Sequence, residues 1–259
     1  MGSMPAFRLS KWYLDSVDDA GDVTILYTGT ARWGAVHLNY SSVIESNGGR
    51  VTGRQSLRRA AEPRIEGESL RWCCRALAVD GSWTAAAGDL RAIVFESAAG
   101  SIEWQCLMPR ALSRINEHGG LGYVEHLAMS IAPWKLPLRT LRWGRFGSEA
   151  GWIVWIDWRG ESSRTLLYRD NRPAEARAVS DSAIEFADGS RLTLDRSLTI
   201  REGPLGSTVF RAIPGVRNSA PARLMRISEH KWRSGARLES PGQPPVTGWA
   251  IHEKVVWPE

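Results

Sequence analysis

Short apolar runs ended by glycine, aspartate, asparagine or proline recur along the whole chain, and helical periodicity is scarce. Residues 11–15 and 23–27, for example, flank the polar turn at 18–22, which is a hairpin pattern. The best helix candidate is the short segment 221–227. Strand-like runs at this spacing are typical of a sandwich or barrel, so the sequence predicts an all-β fold.

Further hairpins are predicted wherever a glycine-containing dipeptide separates two such runs, because glycine supplies the positive φ that tight turns need. The predicted turns are Asp80-Gly81, Ala99-Gly100 and Asp188-Gly189. Their flanking strands are predicted at 68–77 with 81–86, 90–95 with 101–107, and 182–186 with 191–194.

The chain also contains an approximate internal repeat. The segments 12–15 and 24–27 are echoed by 155–158 and 165–168, and the pair 114–118 and 122–126 is echoed by 226–230 and 248–253. Because the echoes occur in the same order, they indicate a duplicated barrel of roughly 120 residues per copy. We therefore predict two consecutive domains, 4–130 and 131–259, joined near 130–137, where prolines interrupt strand pairing.

Composition excludes several functional classes. The 33 basic residues are interspersed with 28 acidic ones, so the net charge of +5 does not indicate a nucleic-acid footprint. No apolar run approaches the roughly 20 residues that a transmembrane helix needs, and the N-terminus lacks a secretory pattern. The three cysteines form no disulfide framework or metal-ligand spacing. We expect a cytoplasmic protein without a metal, a cofactor or a nucleic-acid partner.

Thirteen tryptophans, against five phenylalanines and five tyrosines, are the unusual feature of the composition. They indicate either a wide apolar cavity lined by indoles or a core rich in tryptophan. In the segment 33–40, strand alternation predicts that Trp33, Ala35, His37 and Asn39 share one face. That face is either the wall of a binding pocket or the solvated side of an edge strand.

The strongest local cluster of candidate functional residues lies mid-chain, in Gly122-Tyr123-Val124-Glu125-His126. In a strand, Tyr123 and Glu125 point to one face, while Val124 and His126 point to the other. A carboxylate in apolar surroundings has a raised pKa and can act as a proton donor or acceptor.

A second candidate acid is Asp157, in the run Trp152-Ile153-Val154-Trp155-Ile156-Asp157-Trp158. Asp157 and Trp155 share a face, and a carboxylate beside an indole is costly unless it is paired or lines a cavity. Arg145 is an available partner. The alternative to a functional acid is therefore a buried structural ion pair between Asp157 and Arg145.

At these residues the chain resembles the carotenoid 1,2-hydratase (hydroxyneurosporene synthase) superfamily, which includes AttH-like proteins and lipocalin-like Diels–Alderases. The matching motifs are Trp12-Tyr13-Leu14-Asp15, Gly122-Tyr123-x-Glu125-His126, Trp143-Gly144-Arg145 and Gly248-Trp249. The resemblance implies two consecutive lipocalin-like β-barrel domains with a ligand pocket between or within them. It also implies cofactor-free chemistry on long, apolar, unsaturated molecules.

The sequence departs from the hydratase pattern after the shared acid and histidine. The family carries Asp-His-Asn-Trp-Gly, whereas Leu127-Ala128-Met129 follow Glu125-His126 here. The loss of the polar residue favours cyclisation or isomerisation over hydration.

The leading hypothesis is an enzyme acting on an apolar polyene, isoprenoid or polyketide-type substrate. Glu125 would be its acid or base, with His126 beside it and with Asp157 and Arg145 setting its charge state. The predicted substrate-binding residues are Tyr123, Trp143, Trp155, Trp33, His37 and Trp249. A non-catalytic carrier of a lipophilic metabolite and a protein-binding scaffold are the alternatives.

Overall fold

The computed structural model describes residues 7–86, 88–208 and 221–258. It divides into two compact units, Met1–Leu136 and Pro137–Glu259. Each unit is built from one curled antiparallel sheet of ten strands. The predicted all-β class is confirmed, and the two sheets form two consecutive lipocalin-like β-barrel domains.

The first unit pairs its strands in the order β4-β3-β2-β1-β10-β9-β7-β6-β5, and β8 also pairs with β9. The predicted hairpin turn at 18–22 joins β1 to β2, and the Ala99-Gly100 turn joins β8 to β9. The strands are β1 (Arg8–Val17), β2 (Val23–Trp33), β3 (Val36–Asn47), β4 (Arg50–Ser56), β5 (Arg64–Glu66), β6 (Ser69–Cys74), β7 (Val79–Ala85), β8 (Leu90–Ser97), β9 (Gly100–Ile115) and β10 (His118–Met129).

The second unit has the order β14-β13-β12-β11-β20-β19-β17-β16-β15, and β18 also pairs with β19. The predicted short helix is confirmed as α1 (Ala222–Arg226). The strands are β11 (Leu138–Gly147), β12 (Trp152–Gly160), β13 (Arg164–Arg169), β14 (Arg172–Pro173), β15 (Ala176–Val179), β16 (Ala183–Phe186), β17 (Arg191–Leu194), β18 (Leu198–Pro204), β19 (Ser228–Glu239) and β20 (Val246–Val256).

The two strand orders are the same once ten is subtracted from each number of the second unit. Duplication is thus visible in the topology, with β1 equivalent to β11 and β10 equivalent to β20. The predicted match between 122–126 and 248–253 agrees with this equivalence, because the two segments lie in β10 and β20.

The other predicted repeat matches do not fall on equivalent strands of the two units. Residues 12–15 lie in β1, but 155–158 lie in β12 rather than β11. Residues 114–118 cross from β9 into β10, whereas 226–230 cross from α1 into β19. The similarity of 155–158 arises because tryptophan and aspartate recur on a neighbouring strand of the second barrel.

One predicted turn is also wrong. The chain reverses through a 3-10 turn at Arg75–Leu77, where Ala78 takes a left-handed conformation (φ 52°), and Asp80-Gly81 lies inside β7. Glycine is needed at 81 for a different reason, since a Cβ there would overlap the Trp83 ring. That indole is fully buried and donates from Nε1 to the Asp15 carbonyl (2.8 Å).

Each barrel has its own apolar core. In the first, Leu14, Leu26 and Val124 pack with Trp72 and Trp83. In the second, Phe146, Trp155, Ile184, Leu192 and Ala250 pack together. Burying an aliphatic or aromatic side chain of this kind stabilises a fold by about 1.5–3 kcal/mol, so these interiors hold the strands in register.

Within the described ranges, no helix has both the length and the apolar character required to span a bilayer.

Candidate functional site

The sheet of the first unit carries a buried polar cluster on the face opposite its apolar core. We call it the acid–phenol cluster; its members are Tyr13 and Asp15 of β1, Tyr123 and Glu125 of β10, and Trp104 and Cys106 of β9. All six are buried. Two carboxylates and two phenols out of water are costly unless they are hydrogen-bonded, so their partners define what the cluster can do.

Strand register explains why these side chains meet. β1 and β10 are antiparallel, with Tyr13 opposite Glu125 and Asp15 opposite Tyr123. Each strand contributes a tyrosine and an acid two residues apart, which places all four groups on one face. The predicted sharing of a face by Tyr123 and Glu125 is confirmed, while Val124 lies in the core.

Glu125 is the centre of the cluster. Its Oε2 accepts a hydrogen bond from Trp104 Nε1 (2.6 Å) and another from the Tyr123 hydroxyl (2.8 Å). Glu125 is 7% exposed. Two donors on one oxygen fix the rotamer of the carboxylate and stabilise its charge where solvent cannot.

The second acid repeats this pattern. The Tyr13 hydroxyl donates to Asp15 Oδ2 (2.9 Å), and Asp15 is fully buried. The Tyr13 ring packs edge-on against Tyr27 and Tyr123, with centroids 5.3 and 5.9 Å away. The two acid–tyrosine pairs therefore form one continuous assembly.

Burial keeps the neighbouring weak acids protonated. Desolvation raises the pKa of Tyr123 well above its usual value, and the adjacent Cys106 and Glu125 raise it further. Desolvation likewise raises the pKa of the Cys106 thiol, with added repulsion from Glu125 and Asp15. Tyr123 is thus a hydrogen-bond donor throughout the neutral range, and Cys106 is not a thiolate nucleophile.

A β-bulge in the β9–β10 pairing determines which face of the sheet Cys106 and Met108 lie on. Val124 is opposite Met108 but Glu125 is opposite Cys106, so β9 has one extra residue at this point. Bulges of this kind redirect side chains and often lie beside functional sites. Here the bulge lets Met108 face the core while Cys106 faces Glu125.

His126 lies on the other face of the same sheet, as predicted. Its Nε2 is 2.8 Å from Ser10 Oγ, and its ring lies 4.7 Å from the ring of Trp12. Burial lowers the pKa of His126 although Glu62 and Glu103 oppose the shift. The structure therefore separates His126 from the Glu125 carboxylate by the thickness of the sheet.

Asp157 is fully buried, but its partner is not the predicted one. Asp157 is opposite Arg142 in the β11–β12 pairing, and Arg145, three residues further along β11, is on the opposite face. The predicted Asp157–Arg145 pair is therefore wrong. Asp157 Oδ1 contacts Arg159 Nη2 (2.6 Å) and accepts from Thr165 Oγ1 (2.8 Å), and Arg142 Nη1 is 3.8 Å from Oδ2.

Arg145 and Trp143 are both buried on the face of β11 that points away from the core of the second unit. Lys231 Nζ lies over the Trp143 ring, 5.3 Å from its centroid. Lys231 is itself buried and pairs with Glu253 and with Glu229. This face holds charged groups beside an indole.

The remaining predicted binding residues are spread across both units. Trp155 lies in the apolar core of the second unit, where its ring covers Gly144 so closely that any Cβ there would overlap it. Trp249 is half-buried on β20, with the Arg233 guanidinium 4.7 Å from its ring centroid.

The prediction that Trp33 and His37 share one face of a single strand is wrong. The chain turns between β2 and β3, at Gly34 (φ 61°), so Trp33 is opposite Val36 and His37 is opposite Arg32. Trp33 instead packs edge-on against Trp134, with ring centroids 5.0 Å apart. His37 is exposed on the face that continues into the barrel interior.

Sequence reasoning missed Asp15, Tyr13, Trp104 and Cys106 as members of the site. A signal was present, since Tyr13-x-Asp15 and Tyr123-x-Glu125 have the same spacing of phenol and acid. Nothing in the sequence, however, gives the register that brings the two pairs together.

Among residues 7–86, 88–208 and 221–258, no three histidine, cysteine, aspartate or glutamate side chains are grouped so that they could hold a metal ion.

Solved structures with this fold exist, although no protein-family model matches the chain and no curated protein matches its sequence. CghA determined with Sch210972 has a TM-score of 0.56 at 10% identity, covering 97% of this chain and 89% of that chain. CghA alone gives a TM-score of 0.57 at 11% identity, covering 97% and 88%.

An AttH-like protein, NE1406 from Nitrosomonas europaea, gives a TM-score of 0.54 at 13% identity, covering 95% of this chain and 92% of that chain. At identities of 10–13%, the likeness between these structures and this chain is one of fold. The resemblance found in the sequence is confirmed at the level of the fold.

Proposed function

We propose that this protein is an enzyme that rearranges carbon–carbon double bonds in an apolar polyene, isoprenoid or polyketide-type substrate without a cofactor. Glu125 is its proton-transferring group. The observation that carries the proposal is the acid–phenol cluster, in which a buried carboxylate is held by two neutral donors. Titratable groups in buried environments with specific partners are concentrated at functional sites.

The hydrogen bonds favour the base form of Glu125 in the resting protein, because Trp104 and Tyr123 both donate to its Oε2. Glu125 removes a proton from an activated carbon of the substrate, and the electron pair left behind shifts the double bond. The protonated Glu125 then returns the same proton to the distal carbon. The step is an isomerisation, with atoms and charge balanced and no other reactant.

The neighbouring groups support this cycle. Tyr123 stays protonated because its pKa is raised, so it remains a donor to Glu125 throughout. Asp15, held by Tyr13, lies in the same buried cluster, and its tyrosine packs edge-on against Tyr123, so the second pair helps to fix the position of the first.

The comparisons support a small-molecule role, since one CghA structure of this fold was determined with Sch210972. A cyclisation that starts from the same proton removal would use the same residue. Hydration is less well supported, because Leu127-Ala128-Met129 supply no polar group after His126.

The test begins with native mass spectrometry and organic extraction of the protein purified from its own host. We expect a copurifying unsaturated compound. The protein is then incubated with the host extract, and an isomer of one component should accumulate. A ligand returned unchanged would indicate a carrier, and an empty protein that binds a defined protein partner would indicate a scaffold.

A further inference from the structure

We infer that the open end of the first barrel is a second binding site, on the face opposite Glu125, for an organic anion with a flat apolar body. This inference is independent of the proposed reaction. It rests on three rows of side chains that cross the sheet from β9 or β1 to β3 and point into the barrel.

The rows follow from strand register, since residues directly opposite each other share a face. The outer row is Arg8, Arg32 and His37. The middle row is Glu103, Ala128, Ser10, Thr30 and Asn39, and the inner row is Gln105, His126, Trp12, Thr28 and Ser41.

On β1, β2 and β3, solvent exposure falls from the outer row inward, as expected for the open end of a barrel. Arg8, Arg32 and His37 are exposed, Ser10, Thr30 and Asn39 are half-buried, and Thr28 and Ser41 are buried. Beyond them lie Leu14, Leu26 and Val43 of the closed core. The rows therefore line a cup whose floor is formed by Trp12, His126 and the hydrogen-bonded pair Thr28–Ser41.

The positive charges of the outer row favour an anionic group on the ligand. Arg8 and Arg32 are directly opposite each other, an arrangement that destabilises a sheet when both side chains are charged. Neither arginine forms an ion pair within the described part of the chain, and His37 adjoins Arg32. A carboxylate, sulfonate or phosphate placed between them would relieve the repulsion and accept charge-assisted hydrogen bonds.

The middle and inner rows specify the rest of the ligand. Asn39 Oδ1 is buried and accepts no hydrogen bond from the described residues, so it is an acceptor available to a donor group of a bound molecule. Trp12 and the neutral His126 offer a flat aromatic floor. Glu103 is exposed at the β9 end of the middle row, opposite the end that holds Asn39, and its carboxylate repels an anion from that side.

Two fluorescent probes that differ only in charge test this assignment. Anilinonaphthalene sulfonate carries the anion, and N-phenylnaphthylamine is the same ring system without it. In titrations of the full chain, Arg32→Gln and Arg8→Gln should each weaken binding of the sulfonate by about tenfold, a loss of about 1.4 kcal/mol. Binding of the neutral probe should be unchanged.

Controls locate the site. Arg64→Gln, which removes an exposed arginine from β5, should leave both affinities unchanged. Trp12→Leu should weaken both probes, because it removes the floor of the cup. The inference is overturned if the sulfonate does not bind, if Arg8→Gln and Arg32→Gln leave its affinity unchanged, or if Trp12→Leu affects neither probe. If Glu125→Gln alone abolishes binding, the probe lies on the other face and the cup assignment is wrong.

Discussion

The two units share a strand order, yet equivalent positions hold different groups. Gly122 and His126 of β10 correspond to Gly248 and His252 of β20. By the same register, Tyr13, Asp15, Tyr123 and Glu125 of the first unit correspond to Arg145, Gly147, Trp249 and Ile251 of the second. The fold tolerates this exchange because the apolar faces, which hold the register, are retained in both barrels.

The interiors differ in a related way. Trp12 and Gly144 are equivalent, since each is opposite the histidine of its unit. In the second unit the missing indole is replaced from the next strand, where Trp155 fills the space over Gly144. His126 remains half-exposed at an open barrel end, whereas His252 is buried against Trp232 and Ser234. The histidine at this position is therefore open to solvent in the first unit and enclosed by side chains in the second.

The largest stability effect should come from Gly144→Ala. A Cβ at 144 overlaps the Trp155 ring and approaches His252, so the variant should lose about 3 kcal/mol in urea unfolding. Gly53→Ala is the control, because its Cβ would meet only the Val43 carbonyl at an ordinary distance. If Gly144→Ala is as stable as Gly53→Ala, the indole does not replace Trp12 in the way described.

The pH dependence of stability should depend more on His252 than on His126. Burial lowers the pKa of His252 to about 4, with Lys231 and Arg196 adding to the shift and Asp181 and Asp195 opposing it. Between a pH of about 6.5 and about 4, His252 is therefore protonated in the unfolded chain but neutral in the folded protein. Stability should fall by about 3 kcal/mol as the pH falls through that window.

Replacing His252 should remove this dependence. Urea unfolding of His252→Gln at pH near 7 and near 4 should show a smaller acid loss than the wild-type protein. His126→Gln should change the dependence less, because His126 is half-exposed. Equal pH profiles for His252→Gln and the wild type would contradict the burial of His252.

Asp157→Asn should give the smallest stability effect of the three. The amide keeps the shape but cannot neutralise Arg142 and Arg159, so the variant should lose about 2 kcal/mol. Asp89→Asn removes one side of an exposed pair with Arg91 and should change unfolding little. Turnover per folded molecule should be unchanged in Asp157→Asn, since the acid is held within its own unit by structural partners.

Much of the fold was predictable because turn residues and alternation are local signals. The turns at 18–22 and at Ala99-Gly100 and the opposed faces of Glu125 and Val124 all follow from neighbouring residues. The errors occurred where the answer depends on register between strands. Choosing Arg145 over Arg142 as the partner of Asp157 required the β11–β12 pairing, which the sequence does not contain.

The candidate site was only half predictable for the same reason. Tyr123 and Glu125 lie on one strand, but Asp15 is more than a hundred residues away and joins them through the β1–β10 pairing. Trp33 and His37 were wrongly placed on one strand because Gly34-Ala35 is a short turn flanked by strand-forming residues on both sides. Gly34-Ala35 lacks the Asn-Gly or Asp-Gly pair that marks a two-residue hairpin most strongly.

The central claim is that a carboxylate of the first unit carries the chemistry. Its most direct test is the turnover of Glu125→Gln on the compound that wild-type protein converts, measured beside Glu96→Gln, which alters an exposed acid on β8. Removing a general base typically costs about 10²–10⁴-fold in rate, so Glu125→Gln should lose that much while remaining folded. Glu96→Gln should match the wild type. Full turnover by a folded Glu125→Gln variant would contradict the account.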